Sequence, residues 1–210
     1  MSSIIENLRL FNSKERYFLV DYALEGGFKL SGKFCKDVNK GLKLDMPESP
    51  LFAAMDYHLD WILASLKLAK EPDSLIFPNS SKGIEATQED IDFIIAFDKG
   101  EETHIVLLEV KGVTGWTNKQ LDSKAVRFAK IFGEDGKLWA GVVPHFAIVS
   151  PRKPTGLVIK EWPAWMKFEG EFAWIELPGT GGHFRVHRCN KAGKQSIEGD
   201  HWTIIERRKQ

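Results

Sequence analysis

The chain is poor in cysteine, with only Cys35 and Cys189 in 210 residues. Their separation excludes any clustered metal-ligand spacing, and a disulfide framework is not expected of so sparse a pair. Charge of one sign is also lacking: 29 Lys and Arg face 29 Asp and Glu. Binding nucleic acid through bulk charge alone is therefore excluded, which leaves room for a local patch. Long apolar runs are missing too. The longest uncharged stretch, Leu138 to Pro151, is broken by Pro144 and falls short of the ~18 residues a span needs. Glu6 and Arg9 come early and no basic lead-in precedes an apolar run, so no secretory leader is expected and a reducing, cytoplasmic setting follows. Asn79-Ser80-Ser81 then reads as a chance match to a glycosylation acceptor. There is no Walker A loop, dinucleotide glycine fingerprint, Gly-x-Ser-x-Gly elbow or paired-cysteine zinc motif.

What is present is the composition of a folded protein, 43% apolar and 28% charged. Ser3 and Glu6 form a capping box for a helix through Phe11, and a second helical run extends from about Lys14 to Glu25. Residues 28–46 carry no clear periodicity. Ser49 and Pro50 open what the spacing of Met55, Leu59, Ile62, Leu66 and Ala69 predicts as one helix over 50–70, with Asp56 and Asp60 together on its face. Strands are expected at 75–77, 92–97, 104–111 and 145–150, with a helix over 117–132. Beyond Pro151 aromatics and glycines increase, and short strands are expected at 172–177, 183–188 and 201–206. The division is then an N-terminal helical extension (1–46), an α/β core (47–150) and a β-rich C-terminal appendage (151–210) packed on it.

Three charged residues stand out against this frame. Glu109 and Lys111 close the apolar run Ile105-Val106-Leu107-Leu108, which should be buried on both faces. Alternation puts the two on one face, roughly 6–7 Å apart. Asp92 opens the preceding strand. In a hairpin centred between Gly100 and Glu101, partner numbers add to 201, so Asp92 falls opposite Glu109. Leaving three charges unpaired at the end of a buried sheet would be costly, so a polar site or a cation is expected there. Two carboxylates on rigid strands can hold Mg²⁺ or Mn²⁺ and leave positions for water and a phosphate oxygen. A neighbouring ammonium can orient the water or stabilise charge developing on the phosphate. Without metal the carboxylates should repel, so Glu109→Gln is expected to leave the fold intact or slightly more stable.

Asp92 followed 17 residues later by Glu109-Val110-Lys111 resembles the PD-(D/E)xK, restriction-endonuclease-like nucleases over roughly residues 50–150. The resemblance implies a mixed central β-sheet flanked by helices in αβββαβ order. It also implies metal ligation by Asp92, Glu109 and the Val110 backbone carbonyl, with Lys111 as the catalytic lysine. Gln120 stands where RecB-like and resolvase-like members carry a glutamine, with Lys124 one turn on. An acid from the first core helix joins some members' sites; Asp56 or Asp60 is favoured here by position, and Glu15 in Lys14-Glu15-Arg16 is the alternative. Ile91 stands where the family has proline. The implied activity is metal-dependent hydrolysis of phosphodiester bonds, with DNA the favoured substrate. The alternative is an inactive nuclease-like module that binds nucleic acid or protein, and a homo-oligomer is left open.

Elsewhere the signals are weaker. His183 and His187 lie about 13 Å apart on a strand, too far to share a metal. Alternation would turn Phe184 and Val186 inward and leave Arg185 on an outer edge that, with Arg188, Lys191 and Lys194, could contact phosphates. The tryptophans at 162, 165, 174 and 202 read as packing for a small β unit rather than as base-stacking platforms.

Overall fold

Runs such as Ile94-Ile95-Ala96-Phe97 and Ile105-Val106-Leu107-Leu108 offer no polar face, so they are stable only in a sheet covered on both sides. The computed structural model has that architecture and describes residues 3–24, 29–48, 52–80, 82–85, 89–112, 114–178 and 182–206. Helices α1 (Ile4–Phe11), α2 (Glu15–Ala23) and α3 (Gly32–Leu42) precede β1 (Phe52–His58) and α4 (Leu59–Lys70). Then come β2 (Asp90–Lys99), β3 (Glu102–Val110), α5 (Asn118–Phe132) and β4 (Val142–Ser150). A 3₁₀ turn at Ala164–Met166 leads to the small pair β5 (Lys167–Phe168) and β6 (Glu171–Phe172), then β7 (Trp174–Glu176) and the hairpin β8 (Phe184–Cys189) and β9 (His201–Glu206).

The central sheet has five strands in the order β1-β2-β3-β4-β7. The first three run antiparallel, and β4 and β7 add in parallel. Leu8 of α1, Ile62 and Leu66 of α4, and Leu121 and Phe128 of α5 pack with Ile94, Ile105 and Leu107 on one face. Cys35 and Val38 of α3 pack with Ile95, Phe97, Val106 and Leu108 on the other. The protein is thus a mixed α/β fold with helices on both sides of a mixed sheet. Among the described residues no helix is long and apolar enough to cross a membrane.

The capping box of Ser3 and Glu6 forms as the sequence suggests, with each side chain taking the other's backbone N–H. The single helix expected over 50–70 does not. Its first part is strand β1, and the helix begins only at Leu59. Asp56 has φ +50°, a left-handed conformation that a short polar residue tolerates, and the strand's burial changes phase there: Phe52 and Ala54 are buried, then Tyr57 and Leu59. That phase change gives the strand an apparently helical spacing of apolar residues. The strand expected at 75–77 is absent, and Leu75 and Ile76 are exposed instead. The unassigned stretch at 28–46 contains α3, capped by Ser31 and ended by Lys43 at φ +51°.

The C-terminal region divides. β7 extends the central sheet beside β4, whereas β8 and β9 form a separate two-stranded sheet. In that hairpin the expected facing is reversed. Phe184 and Val186 are 69% and 67% exposed, while Cys189 is buried and His187 half-buried. Alternation holds, but the inward face is filled by Cys189, His187, Thr203 and Ile205 rather than by the larger apolar set.

Candidate active site

The hairpin of β2 and β3 turns at Gly100, whose φ of +64° a side chain would strain. Its register runs from Lys99↔Glu102 to Phe93↔Leu108. One further step sets Asp92 across from Glu109, as the arithmetic on the sequence places them. The backbone ladder stops there, and Asp92 Oδ2 accepts the Val110 N–H at 2.6 Å in its place. On the other side β1 and β2 pair at Met55↔Phe93 and Tyr57↔Ile91 but not at Asp56, which lies level with Asp92. Asp56, Asp92 and Glu109 therefore occupy one row across three strands.

Glu109 is 1% exposed and faces α5. Helical spacing puts Gln120 and Lys124 one turn apart on the face α5 turns to the sheet. Gln120 Nε2 donates to Glu109 Oε1 at 3.0 Å, and Lys124 Nζ stands 2.9 Å from Oε2. Lys124 also donates to the backbone carbonyl of Asp90. Burial pushes the Glu109 carboxyl above the usual glutamate range; Lys124 opposes this, Asp92 adds to it, and Lys111 opposes it more weakly. The Lys111 side chain follows β3, half-buried, with its ammonium 6.0 Å from the centre of the Trp116 ring. Among the described residues it makes no ion pair. Its backbone N–H is tied to the Val149 carbonyl at 2.9 Å, which anchors the end of β3 to β4.

The acids and bases expected around this centre sort differently. Asp60 is on α4 and is held by Arg127. Arg127, itself 2% exposed, also meets Glu85 at 3.1 Å. Asp60 thus belongs to a separate ion-pair set. Asp56 lies on β1 rather than on a helix, and Arg16 approaches it at 3.3 Å. Glu15 is exposed in the first turn of α2. Lys124, expected to reach a nucleic acid, is only 5% exposed and is engaged by Glu109 and Asp90 inside the fold. Arg185 is exposed on β8, and Arg188 Nε donates to the Gly199 carbonyl at 3.0 Å. Both lie in the separate hairpin.

Sequence reasoning missed Asp90. It closes a second polar set, with His58 Nδ1 2.5 Å from Oδ1 and Lys14 Nζ 2.9 Å from Oδ2. The signal was available: Asp90 precedes Asp92 by two on the same strand, and His58 pairs with it in the β1–β2 register.

Chemically, Asp92 and Glu109 supply hard oxygen ligands. Asp92 Oδ2 and both Glu109 oxygens keep a further lone pair beyond the contact each already makes, so a Mg²⁺ or Mn²⁺ that keeps several waters fits this donor set. Among the described residues no group of three or more His, Cys, Asp or Glu side chains is gathered closely enough to hold a metal ion. No protein-family model matches the chain, and no curated protein or solved structure matches it either.

Proposed function

We propose that the protein is a metal-dependent nuclease that hydrolyses phosphodiester bonds, with DNA as its favoured substrate. The observation that carries this reading is the meeting of Asp92, Glu109 and Gln120 at the end of β2, β3 and α5, with Lys111 beside them and in no ion pair among the described residues. A restriction-endonuclease-like core would account for the order helix, β1, β2, β3, α5, β4, with α4 intervening between the first two strands.

Asp92 and Glu109 would hold the cation, together with the Val110 carbonyl if the resemblance extends that far. The bound ion would supply an acidified water and charge for a phosphate oxygen. The Val110 N–H fixes the Asp92 carboxylate, so that ligand is preorganised by the backbone. Gln120 fixes the plane of the Glu109 carboxylate. Lys111, beside the Trp116 ring, would orient the attacking water or stabilise the phosphate's developing charge. Purified protein should cleave DNA with Mg²⁺ or Mn²⁺, and Glu109→Ala or Lys111→Ala should abolish it. A parent protein that cleaves no DNA or RNA and binds neither ion would reject the proposal.

A second reading is a nuclease-like scaffold that binds without turnover. The engagement of both Glu109 oxygens by Gln120 and Lys124 favours it, because a cation must compete with Lys124 for the carboxylate. It predicts nucleic-acid or protein binding that survives Glu109→Ala.

A further inference from the structure

Beside the carboxylate row lies a recess of about 340 Å³ lined by Ser13, Lys14, Glu15, Arg16, His58 and Trp61. Five of these six carry polar hydrogen donors, on Ser, Lys, Arg, His and Trp side chains, and Glu15 is the one carboxylate among these lining residues. Two carboxylates outside this lining pair with its donors: Asp90 meets Lys14 and His58, and Asp56 meets Arg16. Neither pairing exhausts its donor. Lys14 has three N–H groups and Arg16 five, and the Arg16 side chain is 70% exposed. Trp61 closes one side, its ring edge-on to His58 at 4.2 Å and 5.9 Å from the Lys14 ammonium. A surface this rich in donors suits a ligand made of acceptors, and arginine presents a fork that fits phosphate oxygens.

The recess is coupled to the carboxylate site at two points. Asp90 connects it to Lys124 and through that to Glu109, by way of the Asp90 backbone carbonyl. Asp56, the partner of Arg16, lies level with Asp92 across β1 and β2. A strand lying over Asp92 and Glu109 would therefore carry its neighbouring backbone past Arg16. We infer that the recess is a subsite for a backbone phosphate next to the scissile one, with Arg16 and Lys14 as its ligands and Trp61 against the adjoining sugar. The identity of the strand rests on the nuclease reading; the recess itself does not.

The test is fluorescence anisotropy of the full chain with a labelled single-stranded deoxyoligonucleotide of about ten nucleotides, in EDTA so that no cleavage occurs. Arg16→Ala should raise Kd about tenfold, the effect of one charge-assisted hydrogen bond. It should also reduce the slope of log Kd against log salt by about 0.7, the share of one phosphate contact on a single strand. Arg16→Lys should restore the slope, and inorganic phosphate should compete with the oligonucleotide in the parent but not in Arg16→Ala. Because Arg16 is exposed, its removal does not endanger the fold; Lys14→Met, which also releases Asp90, is the secondary variant. An unchanged Kd and slope in Arg16→Ala, or no oligonucleotide binding by the parent, overturns the inference. If Arg16→Ala behaves as expected but the parent never cleaves with Mn²⁺, the phosphate subsite stands and the nuclease reading falls. If the parent cleaves and Arg16→Ala changes nothing, the reverse holds.

Discussion

Helix α5 buries two cations three residues apart, and they serve different ends. Arg127 is 2% exposed and meets Asp60 and Glu85, tying α5 to α4 and to the segment before β2. Lys130 joins the same set through Glu85 at 2.7 Å. There Arg127 and Lys130 share the carboxylates of Asp60 and Glu85. Lys124 is 5% exposed and among the described residues pairs with the carboxylate of Glu109 alone, whose neighbours are Asp92, Gln120 and Lys111. The first set is balanced and acts as a brace. In the second, burial outweighs the nearby cations and leaves the Glu109 carboxyl raised, the kind of imbalance that chemistry uses.

The comparison predicts its largest effect in catalysis. Lys111→Met should lower cleavage by about a hundredfold or more while leaving Mn²⁺ affinity unchanged, and single-turnover rates with a Mn²⁺ titration would measure both. The matching change in the brace, Arg127→Met, should leave the cleavage rate of the folded protein alone.

Next comes stability. Lys124→Met strands the buried Glu109 charge and should cost about 3 kcal/mol at neutral pH by denaturant unfolding. The loss should shrink as pH falls, because Glu109 can protonate. Arg127→Met should cost less, about 1–2 kcal/mol, since Asp60 and Glu85 are 17% and 33% exposed and can hydrate once released. Equal losses with the same pH dependence in the two variants would erase the distinction.

The smallest effect belongs to Glu109→Gln, which keeps shape and removes charge. A carboxyl raised in the folded state binds its proton more tightly there than in the unfolded chain. Its ionisation therefore weakens the parent as pH rises from the ordinary glutamate range through the raised value, and the weakening is complete above it. Relative to Glu109→Gln, the parent should lose stability over that window and regain it in acid. At neutral pH the variant should be as stable as the parent or slightly more so, within about 1 kcal/mol, as the sequence suggested. Lys124 tempers the gain, because it loses the carboxylate of Glu109 as a partner. Melts across pH would show it.

How much of this was legible depends on range. The register of β2 and β3 followed from one turn and two apolar runs, so Asp92 and Glu109 could be set opposite each other by counting. Helix α5 and its glutamine were equally local. β1 was not legible, because Asp56 reverses the facing of the strand and Ala53, Ala54 and Met55 carry helical propensity. Tertiary pairing with β2 overrides that preference. The inward turn of Lys124 was hidden for a different reason: a lysine on an amphipathic helix reads as solvated unless a buried carboxylate is known to face it. Asp60 was misjudged because its partner Arg127 is 67 residues away. The facing of β8 depended on which side of a two-stranded unit meets the body, which alternation alone does not reveal.

The most direct test is the thermal unfolding of parent and Glu109→Gln with and without Mn²⁺. At a Mn²⁺ concentration about a hundredfold above Kd, the parent should gain about 2.7 kcal/mol, a rise of several degrees in Tm. Glu109→Gln should gain nothing, and Lys111→Met should gain as the parent does. A Glu109→Gln protein stabilised by Mn²⁺ as much as the parent would contradict the shared-cation role of Asp92 and Glu109.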